Sequence, residues 1–172
     1  MRVKVLMAVA AICVSSLALV GCNQQQASNA TTAAPGSGAA TQTDMSPEGN
    51  TKFLADNAKK EGVKTTGSGL QYRVIKAGAG KSPTPMDQVT VTYKGRLIDG
   101  TVFDQTEAGQ SATFPAGALI PGWVEALQLM KEGDEWEIVI PSNLGYGEQG
   151  AGGVIPPNQT LVFDLALLTV QK

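Results

Sequence analysis

Few side chains in this chain of 172 residues are able to do covalent chemistry. It contains no histidine and two cysteines, beside 13 basic and 15 acidic residues. Histidine-activated nucleophiles and histidine-ligated metals are therefore excluded, which leaves carboxylates, Lys, Tyr and backbone groups. The other distinctive set is aromatic, with two Trp, three Tyr and four Phe. In a small domain such rings form the core or line an apolar pocket, and periodicity alone does not decide between the two.

Two glycine-containing motifs are similar to nucleotide-binding loops but lack the context of such loops. Residues 145–150 read GYGEQG and lead into a proline-containing stretch where no helix can begin. Residues 80–82 read GKS, yet Ile75 stands where the first glycine of a phosphate-binding loop belongs. Both motifs are therefore interpreted as turns. The net charge of −2 gives no basic surplus, so we expect no nucleic acid, and we predict neither cofactor nor metal.

The first residues predict an export signal. Two basic residues precede the apolar run 5–20, which is shorter than the ~20 residues of a membrane-spanning helix. The run ends in Leu-Val-Gly-Cys, which resembles a bacterial lipobox and implies cleavage after residue 21 and acylation of Cys22. An ordinary signal peptide with an incidental cysteine is the alternative. Because Asn23 follows the cysteine, where an Asp would resemble an inner-membrane retention signal, the resemblance favours the outer membrane.

The region after the signal peptide is predicted to hold no core. Residues 23–43 carry no charge and no apolar side chain larger than Ala, so residues 22–45 are interpreted as the acylated cysteine and a flexible tether. Residues 46–66 predict a short helix and lead-in that dock on the following domain. Ser46 is suited to the N-cap and Pro47 to the first helical position.

From residue 70 onwards the apolar residues alternate with a period of two, which predicts half-buried antiparallel strands. The dipeptide Asp99-Gly100 lies between two such stretches and is typical of a type I′ hairpin turn. The alternating runs are 70–74, 89–93, 136–140 and 161–167.

One segment between the strands has the spacing of a buried helix face. Its apolar residues recur at i, i+3, i+4 and i+7, and are Trp123, Ala126, Leu127 and Met130. The predicted fold is therefore α+β, a curled antiparallel β-sheet of about five strands wrapped over one short α-helix.

Six ordered motifs between residues 69 and 172 carry a family resemblance. They are VTYKG at 91–95, DGTVFD at 99–104, IPGW at 120–123, YG at 146–147, IPP at 155–157 and LVFD at 161–164. Together they resemble the tacrolimus-binding-protein (FKBP) type of peptidyl-prolyl cis-trans isomerase, in particular bacterial members of the macrophage-infectivity-potentiator group. The resemblance implies an FKBP-like isomerase domain over residues 67–172.

The resemblance also implies a site. Trp123 is similar to the floor of the family's pocket, and Asp104 to the acidic residue beside it. The Tyr146 hydroxyl and the Ile120 backbone N–H resemble donors to a substrate carbonyl. The remaining residues implied to line the pocket or contact substrate are Tyr93, Phe103, Leu119, Val154, Ile155 and Phe163. This chain departs from many eukaryotic members in having no Arg within 105–110 and in having Ala112 in place of an aromatic residue.

The activity that the resemblance implies is cis–trans isomerisation of X–Pro bonds in envelope or secreted proteins. Macrolides of the tacrolimus type are the implied inhibitors, and the lipid bilayer is a partner through Cys22. We expect the domain to face the periplasm, with an outward-facing orientation as the alternative. A proline-segment-binding module or holdase chaperone with little turnover is the alternative function. A monomer is expected, on the view that residues 23–66 have no counterpart to the N-terminal dimerisation domain of longer relatives.

Overall fold

The computed structural model describes residues 43–172, so the predicted signal peptide, Cys22 and nearly all of the tether lie outside the described residues. These residues form two α-helices, α1 (Pro47–Asn57) and α2 (Pro121–Leu129). The strands are β1 (Val63–Thr65), β2 (Gln71–Lys76), β3 (Gln88–Leu97), β4 (Val102–Gln105), β5 (Ala112–Pro115), β6 (Glu135–Ile140) and β7 (Leu161–Gln171). No helix within this part of the chain is both long and apolar enough to cross a membrane.

All seven strands join one antiparallel sheet in the order β1-β2-β6-β7-β3-β4, and β5 pairs with the same edge of β3 as β4 does. β7 is therefore a central strand, paired with β6 on one side and with β3 on the other. The predicted α+β class and antiparallel sheet are confirmed. The predicted count of about five strands is too low, because β1 and β5 have only three and four residues and show little apolar periodicity.

The inner face of the sheet packs against α2. On the helix, the residues with the predicted spacing are all buried, which confirms that helix face. On β7, the alternation places Phe163, Leu165 and Leu167 on the inner face. Their neighbour Val162 faces the other side of the sheet. The other large side chains fully buried in the core include Leu70, Val89, Val91, Ile138, Ile140 and Leu161.

Helix α1 covers part of the outer face of the sheet. Its Phe53 and Leu54 pack against a small buried cluster of Ile98, Val139 and Val162. The Ser46 side chain accepts a hydrogen bond from the Gly49 N–H at 3.1 Å, so the predicted N-cap is confirmed. Residues 46–57 are thus packed on the sheet, as expected from the sequence.

The turn between β3 and β4 differs from the prediction. Gly100 has a φ of +90°, but Asp99 does not have the positive φ that a type I′ turn requires at both central positions. Instead Gly100 N–H donates to Leu97 O at 2.9 Å, and Leu97 N–H donates to Thr101 O at 2.8 Å. The loop therefore consists of the three residues 98–100 and is a three-residue hairpin loop with a glycine bulge. Burial of the Ile98 side chain under α1 favours this arrangement.

Candidate active site

An apolar cavity of about 190 Å³ lies between the inner face of the sheet, the start of α2 and two loops. Its lining residues come from six separate parts of the chain, so that only the folded domain brings them together. They are Tyr93, Phe103, Asp104, Phe114, Leu119, Ile120, Trp123, Tyr146 and Phe163.

The rings of the cavity hold one another in edge-to-face contact. Trp123 meets Tyr93 with ring centroids 5.3 Å apart at 85°, and meets Phe163 at 5.2 Å and 89°. Phe103 meets Phe163 in the same way, at 5.5 Å and 88°. This geometry suits the positive edge and negative face of aromatic rings and fixes their orientation. The cavity is therefore a preformed apolar recess with aromatic walls.

A glycine allows the rings to approach the sheet. Gly95 lies in β3, and a Cβ atom placed on it would come within 2.7 Å of ring carbons of both Phe103 and Phe163. No side chain tolerates such a contact without displacement of the rings. The absence of a side chain at this position is therefore what lets the two phenylalanines stand where they do.

The start of α2 places three residues of the lining. Ile120 is the N-cap residue, with extended backbone at φ −59° and ψ 147°, and Pro121 occupies the first helical position. The turn puts Leu119 and Ile120 on the wall and carries Trp123 into the core one turn later. Backbone N–H groups at the start of a helix lack intrahelical acceptors, so this turn offers polar groups beside an apolar recess.

Two polar groups of the cavity, on Tyr93 and Asp104, are paired with each other. The Tyr93 hydroxyl donates to the Asp104 carboxylate at 2.7 Å, so Tyr93 is the partner of this carboxylate in a chain that has no Arg at 105–110. The backbone of Tyr93 is itself tied to Thr106. The Thr106 hydroxyl lies 3.2 Å from both Tyr93 N and Tyr93 O, and Thr106 N–H donates to Tyr93 O at 2.9 Å.

Both tyrosines keep their protons over the physiological range. Burial raises the pKa of Tyr93 well above its usual range, and the hydrogen bond and charge of Asp104 raise it further. Burial also raises the pKa of Tyr146, again with a contribution from the Asp104 charge. The phenols are therefore neutral hydroxyls able to donate hydrogen bonds, and neither serves as a base.

Residues 145–160 form a loop at the edge of the cavity, here called the rim loop. Tyr146 lies on it, lines the cavity and stays 40% exposed. Val154 and Ile155, which the resemblance also implied, are not among the residues that line this cavity. The reason is a bridge between Ala151 and Ile155, which leaves Val154 half exposed in the turn between them and buries Ile155 in the core.

The structure brings together the other eight residues that the resemblance implied, from Tyr93 to Phe163. It adds Phe114, whose ring lies 6.3 Å from that of Tyr93. Phe114 belongs to the short strand β5, whose only sequence signal was the aromatic ring itself. Within residues 43–172 no three acidic or cysteine side chains come close enough to share a metal ion.

Comparison with known proteins identifies the family. The model for FKBP-type peptidyl-prolyl cis-trans isomerase matches residues 80–168. A probable FKBP-type peptidyl-prolyl cis-trans isomerase FkpA of Neisseria meningitidis is 60% identical over 119 residues, which are 69% of this chain and 44% of that protein. The outer membrane protein MIP of Legionella longbeachae is 53% identical over 121 residues, 70% of this chain and 52% of that protein. This chain thus spans about half the length of such relatives.

A second family model, for the domain amino terminal to FKBP-type peptidyl-prolyl isomerase, matches residues 14–74. The expectation that residues 23–66 have no counterpart to the N-terminal domain of longer relatives is therefore wrong. That removes the ground on which a monomer was predicted.

Solved structures also match most of the chain. The peptidyl-prolyl cis-trans isomerase PPIase of Pseudomonas syringae pv. tomato has a TM-score of 0.69 and 37% identity, and the match covers 80% of this chain and all of that one. FkpA from Escherichia coli has a TM-score of 0.68 and 45% identity, over 71% of this chain and 57% of that one. With the family model matching more than half of its residues, this chain belongs to the FKBP-type peptidyl-prolyl cis-trans isomerase family.

Proposed function

We propose that this protein is a peptidyl-prolyl cis-trans isomerase that accelerates rotation about X–Pro bonds in envelope or secreted proteins. The observation that carries the proposal is the aromatic cavity, which combines a recess of about 190 Å³ with neutral hydroxyl groups at its edge and no histidine nearby. Such a site is suited to a reaction in which no covalent bond is made or broken.

The barrier to this reaction is electronic. Rotation about a peptide bond faces ~18–20 kcal/mol, because the C–N bond loses its partial double-bond character in the twisted state. Uncatalysed X–Pro isomerisation accordingly takes tens to hundreds of seconds at 25 °C, slow enough to limit the folding of a protein. A catalyst needs only to favour the twisted amide over the planar one.

The cavity favours the twisted amide by removing water. In the planar amide the carbonyl oxygen carries more negative charge and is stabilised by hydration, whereas the twisted amide is less polar at oxygen. Seating the proline ring against Trp123, between Tyr93 and Phe163, replaces that water with aromatic surface. The change in surroundings costs the planar amide more than the twisted one.

The hydroxyl of Tyr146 and the N–H of Ile120 are proposed to hold the substrate backbone. Both are at the edge of the cavity, and the raised pKa of Tyr146 keeps its proton available for donation. Asp104 holds the Tyr93 hydroxyl and so fixes one wall. Donors positioned in advance lower the barrier without reorganisation during the reaction. Leu119, Phe103 and Phe114 complete the shape of the recess.

The proposed location is the bacterial outer membrane, with acylated Cys22 as the anchor and the domain facing the periplasm. The supporting features are the apolar run 5–20, the Leu-Val-Gly-Cys sequence and the name of the Legionella relative. Several acyl chains anchor a protein stably where one holds only marginally. Slow proline isomerisation would limit folding in that compartment.

The test is isomerase activity of the full chain on a chromogenic X–Pro peptide, with and without a tacrolimus-type macrolide. We expect turnover that the macrolide abolishes, since both ligands would occupy the same cavity. Trp123→Ala, which removes the floor, is expected to lose activity, while Lys131→Ala, at an exposed position outside the cavity lining, serves as the control. Macrolide binding without turnover would contradict the proposal and favour a proline-binding holdase.

A further inference from the structure

Two buried asparagines that lie seven residues apart join helix α1 to the rest of the domain. Asn50 is 4% exposed and Asn57 is 3% exposed. The Nδ2 of Asn57 donates to Gln71 Oε1 on β2 at 2.9 Å. Asn50 instead contacts the end of the rim loop. The two asparagines are thus equivalent in burial and differ in what they hold.

Asn50 satisfies backbone and side-chain groups at the end of the rim loop. Its Oδ1 accepts from the Thr160 N–H at 2.7 Å, and its Nδ2 donates to Gln159 Oε1 at 3.2 Å. The same Nδ2 group lies 3.1 Å from Met45 O and 2.9 Å from Ser46 O. Both the carbonyl and the amide of one side chain are therefore used, in surroundings that exclude water.

From these contacts a path of hydrogen bonds and the adjoining backbone of residues 157–159 reaches the residue beside Tyr146. Gln159 Nε2 donates to Met45 O at 3.0 Å and to Pro157 O at 3.1 Å. The next residue back, Asn158, donates its N–H to Gly147 O at 2.8 Å. Asn158 also has a φ of +59°, a backbone conformation that residues other than glycine rarely adopt. Such a conformation persists where its surroundings hold it in place.

We propose that Asn50 is a positioning residue for the rim loop: from the outer face of the sheet it fixes residues 157–160 and thereby sets the place of Tyr146 at the cavity on the inner face. The match to the isomerase family model starts at residue 80. Helix α1 lies before that match, and the proposal gives this helix a part in positioning Tyr146. The consequence for turnover rests on the proposed isomerase activity, whereas the structural coupling does not.

The experiment compares Asn50→Ala with Asn57→Ala in the full chain. The Asn158 N–H is a suitable reporter, because its acceptor is Gly147 O and neither substitution removes that atom. Hydrogen exchange of this amide is measured by NMR, and kcat/KM is measured on the X–Pro peptide. A purely structural role for the two asparagines would change both variants alike.

In Asn50→Ala we expect Asn158 exchange to accelerate at least about tenfold, because the Thr160 N–H loses its buried acceptor and the end of the loop opens. We expect kcat/KM to fall about three- to tenfold in that variant and to stay within about twofold of wild type in Asn57→Ala. Equal Asn158 exchange in the two variants overturns the proposal.

The coupling stays testable if the wild type lacks turnover or if Asn50→Ala does not fold. If the wild type shows no turnover, the proposed function fails, while the exchange comparison still tests the coupling. If Asn50→Ala does not fold, Asn50→Ser replaces it, since a serine hydroxyl keeps a polar group at this buried position but is too short to hold both Thr160 and Gln159. Faster Asn158 exchange in Asn50→Ser supports the proposal, and unchanged exchange overturns it.

Discussion

A methyl group at position 95 is predicted to disable the cavity while leaving the domain folded. The Cβ of Gly95→Ala would lie 2.7 Å from ring carbons of Phe103 and Phe163. Carbon atoms in contact are ordinarily about 3.5–4.0 Å apart, so the rings must withdraw by about 1 Å. Both rings line the cavity and can only move by altering its shape, since Trp123 supports Phe163 edge-on.

The expected loss follows from that displacement. A misplacement of about 1 Å at a site that works by fit costs up to about 100-fold in rate, so we expect kcat/KM of Gly95→Ala to fall between 10- and 100-fold. Overpacking of a core costs about 1–3 kcal/mol of stability, which a domain of this kind withstands. The φ of Gly95 is not positive, so an alanine there adds no backbone strain. The methyl group therefore acts only through its contacts with the two rings.

The assay is turnover of a chromogenic X–Pro peptide by the full chain, alongside urea unfolding to measure stability. Gly67→Ala is the matched control, because a Cβ there meets nothing within 4 Å and its φ is not positive. The control is expected to match wild type in both measurements. A folded Gly95→Ala protein with kcat/KM within about twofold of wild type would refute the assignment of the cavity as the site of catalysis.

Four further predictions concern the polar groups and the anchor. Tyr146→Phe removes one donated hydrogen bond and is expected to lower kcat/KM about 3- to 10-fold in the same peptide assay, whereas unchanged activity would exclude the hydroxyl from the reaction. The pKa values of Tyr93 and Tyr146 are raised on folding, so kcat/KM is expected to stay level from about pH 6 to 9. Because the folded state holds these protons more tightly than the unfolded state, their contribution to stability is present below about pH 10 and is lost as the pH rises further. In urea unfolding, the free energy of unfolding of wild type is therefore expected to decline more steeply above about pH 10 than that of Tyr93→Phe. Cys22→Ala is expected to abolish incorporation of labelled palmitate in a bacterial host, and labelling that persists would place the lipid elsewhere.

The long elements of this fold could be predicted because each carries a regular apolar pattern. The alternation at 161–167 matches β7, and the spacing from Trp123 to Met130 matches the buried face of α2. Short elements carry no such pattern. β5 has four residues and is held by its pairing with β3, a contact between distant parts of the chain that no local signal reports.

The site was predictable where a motif fixed a side chain on a regular element, as for Tyr93 on β3. Within the rim loop the motif was enough to place Tyr146 at the cavity, but not to give the directions of Val154 and Ile155. Val154 and Ile155 are adjacent in sequence, yet the bridge from Ala151 to Ile155 buries one and exposes the other. The predicted turn type at Asp99-Gly100 was wrong for a similar reason. Burial of Ile98 against residues distant in sequence outweighs the preference of the dipeptide for a type I′ turn.

The central place of β7 has a consequence for biosynthesis. This strand is translated after every other strand of the sheet, yet it lies between β6 and β3 and pairs with both. Until it emerges, β3 and β6 have no shared neighbour and their apolar faces stay exposed, so the domain cannot fold progressively behind the ribosome. Pairing between such distant segments is also slow, typically in the range of milliseconds to seconds. The sheet is therefore completed only after β7 has been synthesised, although β7 lies at its centre.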